Sequence, residues 1–532
     1  MPARARRSRL DSGQGAPANP GQWCGRIGRD IVAIVATGAR ERQRESTEMT
    51  KGMTLAAILA GTSLLAMGTV AQAQISATPG YEAAVELAAT TGWATSESER
   101  GGLELVAQFD SSGEPAWNPA EHPLIYITSE SHFNPNPNKT IEGGFAGFHI
   151  IDAYTKEVIA DHIGVTSQAT GVSQFGAITD ADLRGPVQLR RGPHGVSTSP
   201  DGKWAYYGWS EVNRNAATGV DSFVAIVNME TFKIDKVLRQ EHHFRGARRA
   251  QALHHVQSWT DVDGNDRVVL MFGFGADGGP HFILDPNDDN KVVRTINYED
   301  VQVMGHPFTT PSPDGKTLYV SIGSPEIRES HYTGAGIAKV NLDTGAVTNI
   351  MGTGNHPIGI THDVDGRFTY VVDGHHSSVY KIDDETNEIV GSTSAGVAGP
   401  YGLAFNWDET LLFTVGKGEG SHNVGQVLGV IAARIFAPTR TLLAQQPIFL
   451  GGSASSVDHA ILHPDPEVNE LWVSNMNGWE TIVLDLNTYQ PEAWIATPHG
   501  GDTHNGAFIE YQPDFTGEVH TDQGGPVSET MR

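Results

Sequence analysis

Apolar and polar residues alternate over short stretches along most of the chain beyond residue 100, and turn sequences such as Asp-Gly separate these stretches. A period of two places successive side chains on opposite faces of a strand, one toward a core and one toward solvent. Long stretches with the period of an amphipathic helix are hard to find in the same region. The pattern therefore predicts an all-β protein built from short strands and tight turns.

One sequence unit recurs along the chain. It begins near a histidine or an aromatic residue, continues as a short strand, turns at Asp-Gly or Asp-Glu and ends as a second, alternating strand. The clear copies are GPHGVSTSPDGKWAYYGWS (192–210), GHPFTTPSPDGKTLYVSIGS (305–324), NHPIGITHDVDGRFTYVVDG (355–374) and GPYGLAFNWDETLLFTVGKG (399–418). Looser copies occupy 252–275 and 457–478, and strand–turn–strand segments follow at 223–238, 336–351, 378–393 and 481–495.

Four strands in each repeat are the signature of a propeller blade. Segments 123–133 and 147–159 predict a further blade, and 500–511 predicts the closure of the ring. We therefore expect an all-β, seven-bladed β-propeller with a central channel, and a β-sandwich with accidental internal similarity is the alternative. The predicted organisation is an upstream extension (1–48), a signal peptide (49–73), an N-terminal segment (74–119), the propeller (120–511) and a C-terminal tail (512–532).

The predicted signal peptide has the three parts of an export signal. Lys51 supplies a basic flank, a short apolar run extends from Met53 to Met67, and Ala71-Gln72-Ala73 forms a cleavage site before Gln74. The apolar run is too short for a permanent membrane helix, so we expect no membrane insertion; a retained N-terminal anchor is the alternative. Residues 1–48 are basic and precede this signal, so we expect translation to start at Met49.

Charge and cysteine content exclude several classes of function. The formal net charge is −26, and loss of the basic leader makes the remaining chain more acidic, so we expect no nucleic-acid partner and no binding to anionic lipid. The single cysteine, Cys24, lies in the part that is expected to be removed. Without a thiol there is no disulfide, no covalent haem attachment and no cysteine-ligated metal centre. A bound metal must therefore use His, Asp or Glu.

Histidines recur at one position of the repeat, at the start of the strand that precedes the turn. The fifth of the six copies has Tyr401 at this position. The innermost strand of each blade lines the channel of a propeller, so one repeated position places side chains from all blades around one axis. With one histidine near the end of the first blade and one at the predicted closure, the candidate metal ligands are His132, His194, His255, His306, His356, His459 and His504.

Imidazole donors without thiolate suit copper, zinc or nickel, and seven histidines are too many for one ion. A multinuclear copper centre is therefore the leading interpretation. Glu130 and Asp502 lie close in sequence to His132 and His504, and we assign them as candidate catalytic proton acceptors, with ordinary loop capping as the alternative. Spare histidines, which we expect at the surface or behind the ligands, are His254, His375, His376 and His422.

The repeats resemble the YVTN-type seven-bladed propellers, and the histidine series resembles the copper propeller of nitrous-oxide reductase. That enzyme also has a domain with a cysteine-bridged copper pair, so this chain looks more like the thiocyanate dehydrogenases, which are single-domain periplasmic copper propellers. The resemblance rests on SHF at His132, GPHG at His194, NHP at His356, DHA at His459 and THN at His504.

This resemblance implies a periplasmic enzyme with a histidine-ligated centre of three copper ions. It implies oxidation of a small sulfur anion, thiocyanate, to cyanate and elemental sulfur, with two electrons passed to a periplasmic acceptor such as a cytochrome. Tyr401 departs from the histidine pattern and leaves both the number of copper sites and the substrate open. The sequence also leaves the oligomeric state open, a homodimer being one option.

Two other classes of function compete with an oxidoreductase. A metal-dependent hydrolase like the propeller lactonases would use oxygen ligands for a hard ion, whereas imidazoles select copper. A non-enzymatic metal-binding propeller or chaperone would more often concentrate its histidines in one cluster or tail, and here they are spread through the repeats.

Overall fold

Hairpin turns form at the Asp-Gly positions of the repeat. Gly202 and Gly315 have φ angles of 70° and 66°, in the left-handed region that glycine adopts without steric cost. In the Asp-Glu copy, Glu409 adopts the same kind of conformation with a φ of 54°. The turn therefore has the same geometry where Glu409 stands at the glycine position. Each of the three turns joins two antiparallel strands.

A computed structural model describes residues 94–95, 103–131, 144–166, 189–212, 220–240, 253–272, 281–297, 308–322, 336–354, 356–418, 427–432, 443–444, 447–451 and 456–522. The predicted upstream extension and signal peptide lie outside the described residues, as do two candidate ligands, His132 and His306. The described residues belong to the unit Thr78–Arg532. No helix in this part of the chain is long and apolar enough to cross a membrane.

The described residues form strands and turns, without a helix, which confirms the prediction of an all-β chain. In chain order the strands are β1 (Ala94–Thr95), β2 (Leu103–Gln108), β3 (Leu124–Ser131), β4 (Phe145–Asp152), β5 (Val158–Thr166), β6 (Leu189–Arg191), β7 (Val196–Thr198), β8 (Trp204–Val212), β9 (Val220–Asn228), β10 (Lys233–Gln240), β11 (Leu253–Thr260), β12 (Asp266–Phe272), β13 (His281–Asp285), β14 (Lys291–Asn297), β15 (Thr309–Pro311), β16 (Thr317–Ile322), β17 (Gly336–Asn341), β18 (Val347–Met351), β19 (Pro357–His362), β20 (Phe368–Asp373), β21 (Ser378–Asp383), β22 (Glu388–Ser394), β23 (Pro400–Phe405), β24 (Leu411–Gly416), β25 (Val427–Ala432), β26 (Leu443–Ala444), β27 (Ile448–Phe449), β28 (Val457–Leu462), β29 (Glu470–Asn475), β30 (Glu480–Asp485), β31 (Gln490–Ala496), β32 (Gly506–Tyr511) and β33 (Gly517–Asp522).

These strands are arranged in seven antiparallel sheets. Their orders are β33-β32-β3-β4-β5, β2-β10-β9-β8-β6 with β7 also on β8, β1-β14-β13-β12-β11, β15-β16-β17-β18, β19-β20-β21-β22, β23-β24-β25-β26 with β27 also on β25, and β28-β29-β30-β31. In the order given, each sheet contacts the next, and the last contacts the first through β28 and β33. The fold is a β-propeller.

The first sheet, which we call the closing sheet, combines strands from distant parts of the sequence. Strand β32 pairs with β3, with Leu124 opposite Glu510 and Thr128 opposite Gly506. Two further strands extend the sheets beyond the predicted limits at 120 and 511, because β2 pairs with β10 and β33 pairs with β32. Strand β33 forms a hairpin with β32 through the turn at 512–516, whereas β2 joins β10 from a distant part of the chain.

Apolar side chains fill the space between neighbouring sheets. Between β24 and the sheet of β28–β31, for example, Phe413 and Val415 pack in one buried cluster with Leu471, Val473 and Ile482. Burying one such side chain contributes about 1.5–3 kcal/mol, so the sheets are held mainly by these contacts and by their own strand ladders. The side chains that line the inner strands are therefore not required to hold the sheets together.

A buried histidine away from the inner strands predicts acid sensitivity. Burial lowers the pKa of His162 to about 4, and the hydrogen bond that its Nδ1 donates to the carbonyl oxygen of Phe232, 2.9 Å away, opposes this shift. The unfolded chain has a histidine pKa of about 6.5, so between about pH 6.5 and 4 it binds more protons than the folded chain. Stability is therefore lost as the pH falls through this window, by about 3 kcal/mol from this group. We expect the variant His162→Phe to lose less unfolding free energy between about pH 7 and 4 in urea titrations, and an unchanged pH dependence would contradict the assignment.

Candidate functional site

Three buried imidazoles converge at the start of two inner strands. His194 precedes β7, and His254 and His255 lie in β11. One ring nitrogen of each lies within 4.8 Å of the others, which is a spacing that one metal ion could bridge. The ring centroids of His194 and His254 are 4.5 Å apart, and those of His254 and His255 are 4.0 Å apart. We call these three residues the histidine triad.

His254, which was expected at the surface or behind the ligands, is fully buried and belongs to the triad. Consecutive residues of a regular strand point to opposite faces, which would exclude one of His254 and His255 from the site. The pairing of β11 with β12 changes register between Leu253 and His255. Such a bulge bends a strand and changes the direction of a side chain, which allows both imidazoles to reach the triad.

Two further predicted ligands lie beside the triad. The ring centroid of His504 is 3.3 Å from that of His194, and the ring centroid of His459 is 5.1 Å from that of His255. The rings of His459 and His504 are 6.4 Å apart. Five imidazoles from four inner segments of the propeller are thus collected in one buried region.

Charged residues that the sequence analysis did not identify complete this region. Asp458 is fully buried, and its Oδ2 lies 2.6 Å from His504 Nε2, while its Oδ1 lies 3.0 Å from Lys417 Nζ. Lys417 Nζ also lies 3.7 Å from the ring centroid of Tyr401. The sequence contained a signal for both residues, because Asp458 immediately precedes His459 and Lys417 is the second-to-last residue of the repeat copy that carries Tyr401.

Tyr401 lies at the site although it breaks the histidine pattern. Its hydroxyl group is 3.2 Å from His254 Nε2, and its ring centroid is 5.2 Å from that of His459. Asn505 connects two of the inner strands, since its Oδ1 accepts a hydrogen bond of 3.1 Å from Val196 N and its Nδ2 lies 3.3 Å from His255 Nδ1. The orientation of the triad is therefore set by polar groups behind it.

Burial controls the protonation of the groups around the triad. It lowers the pKa of His459 to about 3, and the nearby charge of Asp458 opposes this shift. The ring is therefore neutral at neutral pH and keeps a lone pair for a metal ion. Burial also raises the pKa of Asp502, whose Oδ1 lies 3.6 Å from His504 Nδ1. Asp502 is thus placed beside a predicted ligand, where it can accept a proton.

Other predicted site residues are placed elsewhere. His356 lies outside the triad, with its ring centroid 4.7 Å from that of His375 and its backbone N–H donating to Asp373 Oδ1. Glu130 contacts other residues than the triad. Its Oε2 lies 3.3 Å from His149 Nδ1, and its Oε1 accepts a hydrogen bond from His499 N. Its neighbour in β3, Ser129, faces the triad side and accepts a hydrogen bond from His504 N.

Comparisons with known proteins show similarity in structure alone. No protein family profile matches it, and no curated protein is significantly similar in sequence. Among solved structures it is similar to the dihydro-heme d1 dehydrogenase NirN, with 14% identity over 79% of this chain and 74% of that chain and a TM-score of 0.41. It is also similar to the Pseudomonas aeruginosa periplasmic gluconolactonase PpgL, with 14% identity over 72% and 99% of the chains and a TM-score of 0.45. A putative 6-phosphogluconolactonase from Bacteroides fragilis NCTC 9343 gives 12% identity over 73% and 98%, with a TM-score of 0.45. Identities this low leave the activity of the chain open.

Proposed function

We propose that this chain is a periplasmic copper-dependent oxidoreductase that acts on a small sulfur anion such as thiocyanate. The observation that carries the proposal is the histidine triad together with the neighbouring rings of His459 and His504. We further propose that the seven sheets are seven blades of one ring around this site, which the closed order of contacts between sheets supports. The predicted export signal at 49–73 supports the location.

The donor chemistry of the site fits copper. Its donors are imidazoles, and a buried imidazole that stays neutral, as His459 does, offers a nitrogen lone pair. Imidazole sites without thiolate suit copper, zinc or nickel, and copper binds most tightly of the divalent series. His459 and His504 bring the number of imidazole donors to five, which is more than one ion needs. This number supports a multinuclear centre, for which we propose three copper ions.

The residues around the triad suit the oxidation of a small anion. Bound copper would act as a Lewis acid and as an electron acceptor. Thiocyanate and one water give cyanate, elemental sulfur, two protons and two electrons. The site therefore needs proton acceptors as well as an electron acceptor. We propose a periplasmic cytochrome as the electron acceptor. Asp502, beside His504, is placed to accept protons. Lys417, which is ion-paired with Asp458, places an ammonium group beside the site.

A metal-dependent hydrolase is the second candidate, and the triad itself favours it. Three protein ligands with an open fourth position are typical of catalytic zinc sites. The carboxylates of Asp458 and Asp502 beside His504 could serve such a site as general bases. The two candidates differ in the metal that supports activity and in whether electrons leave the substrate.

One experiment separates these functions. Metal-free protein is loaded with Cu²⁺ or with Zn²⁺, bound metal is counted by elemental analysis, and each form is assayed anaerobically with thiocyanate plus an artificial electron acceptor and, separately, with a lactone. We expect only the copper form to reduce the acceptor and to form cyanate. Lactone hydrolysis by the zinc form, without acceptor reduction by the copper form, would establish the hydrolase instead. Tight metal binding with neither activity would point to a non-enzymatic metal-binding protein.

A further inference from the structure

The last strand of the described chain lies inside the ring of inner strands. Strand β33 is the edge strand of the closing sheet, beyond β32. It contacts β11 and β28, the first strands of two other sheets. Both of these strands carry imidazoles of the functional site. A strand that touches the inner strands of three sheets occupies the channel itself.

The end of β33 makes polar contacts with each of these strands. Asp522 Oδ2 accepts hydrogen bonds from Ser197 Oγ, at 2.7 Å, and from Ser258 N, at 3.3 Å. Thr521 Oγ1 donates to the carbonyl oxygen of Leu462, at 3.0 Å. In the closing sheet, Asp522 is the cross-strand partner of Ala507. The contacts are therefore made to β7, β11, β28 and β32.

These contacts share one spacing relative to the histidines. Ser197 is the third residue after His194, and Ser258 is the third after His255. Leu462 follows His459 by the same interval, and Ala507 follows His504 by the same interval. Three residues of a strand span about 10 Å. The end of β33 thus contacts all four inner strands at one level of the channel, about 10 Å from the imidazoles.

We propose that Asp522, assisted by Thr521, is a positioning residue that holds β7, β11, β28 and β32, the strands that contain or directly follow the site histidines, in the register required for metal binding. Imidazoles that converge on one ion must be held to within a few tenths of an ångström, and their strands belong to different sheets with no ladder between them. A single carboxyl group bonded to two of these strands fixes their relative height in the channel. The inference rests on the proposed metal-binding function of the triad.

The protonation of Asp522 agrees with this role. Burial raises its pKa to about 8, so the group is largely a neutral carboxylic acid at neutral pH. An asparagine, which has the same shape and also presents a carbonyl oxygen to Ser197 and Ser258, should therefore replace it in this role. An alanine has no acceptor and should release both strands.

The test compares Asp522→Ala with Asp522→Asn, and uses Glu518→Gln, a substitution of a half-exposed side chain on the same strand, as the control. The first readout needs no metal: the imidazole NMR signals of His194 and His255, in protein labelled at histidine. We expect Asp522→Ala to shift or broaden these signals and to leave that of the half-exposed His376 unchanged. We expect Asp522→Asn and Glu518→Gln to resemble the wild-type protein.

The second readout is the affinity for Cu²⁺. We expect Asp522→Ala to weaken it by about 10- to 100-fold, as loss of groups behind metal ligands typically does, and Asp522→Asn to restore it. Unchanged imidazole signals in folded Asp522→Ala would overturn the positioning role, and so would an Asn variant as impaired as the Ala variant. If the wild-type protein binds no Cu²⁺, the proposed function fails, while the NMR comparison still decides whether Asp522 positions the histidines.

Discussion

Replacing His194 with alanine is expected to reduce Cu²⁺ affinity by at least about 100-fold and to abolish acceptor reduction, with the far-ultraviolet circular dichroism unchanged. His194 is the member of the triad that also lies against His504, so its loss affects both parts of the imidazole cluster. The sheets should persist because each is held by its own ladder and by apolar contacts with its neighbours. Equilibrium dialysis with Cu²⁺ and the circular dichroism spectrum measure the two effects.

The matched control for this variant is His376→Ala. His376 is half-exposed and lies in the turn after β20, where its Nδ1 is 2.8 Å from Asp373 Oδ2. We expect its substitution to leave Cu²⁺ affinity within about twofold of the wild-type value, because surface changes away from a site have small effects. Equal losses of affinity in both variants would show that the triad is not the metal site.

The second large effect is expected for Asp458→Asn. This change removes the carboxylate that contacts both His504 and the Lys417 ammonium, which is only 12% exposed. Removing one member of a buried ion pair typically costs about 3–5 kcal/mol, and Lys417 retains partial exposure, so we expect about 2–3 kcal/mol here. We also expect a 10- to 100-fold loss of activity, roughly that found when a group behind a metal ligand is lost.

A double variant separates stability from function at this position. In Asp458→Asn/Lys417→Met the buried ammonium is gone as well, so we expect most of the lost stability to return. Activity should stay low, because His504 still lacks the carboxylate at its Nε2. Recovery of activity together with stability would show that Asp458 serves only to balance Lys417.

The sequence predicted those features that depend on local chemistry. The hairpins follow from Asp-Gly turns and alternating strands, and both depend on residues close together in the chain, such as Gly202 and the strands beside it. The propeller follows because the same local unit recurs. Four of the predicted ligands, His194, His255, His459 and His504, meet in the structure for the same reason, since each occupies a similar position relative to an inner strand.

The missed features depend on contacts between distant segments or on local irregularity. His254 reaches the site through a register shift, which breaks the alternation on which the prediction relied. Lys417 and Asp458 belong to different sheets, and only the packing of those sheets brings their charges together. Strand β2 pairs with the distant strand β10, and no hairpin turn joins the two. Patterns within one segment carry no information about such pairings.

The closing sheet has a consequence for the order in which the site is made. During synthesis the N-terminal segments emerge first, so β3, β7 and β11 exist before β28, β32 and β33. The hydrogen bond from Thr128 Oγ1 to the carbonyl oxygen of Asn505 joins residues 377 positions apart, and it cannot form until almost the whole chain has been made. His504 and the strand that contacts the histidine-bearing strands arrive in this last step. The imidazole cluster is therefore completed only when nearly the whole chain has been made, and we expect any metal ion to bind the finished ring rather than a growing chain.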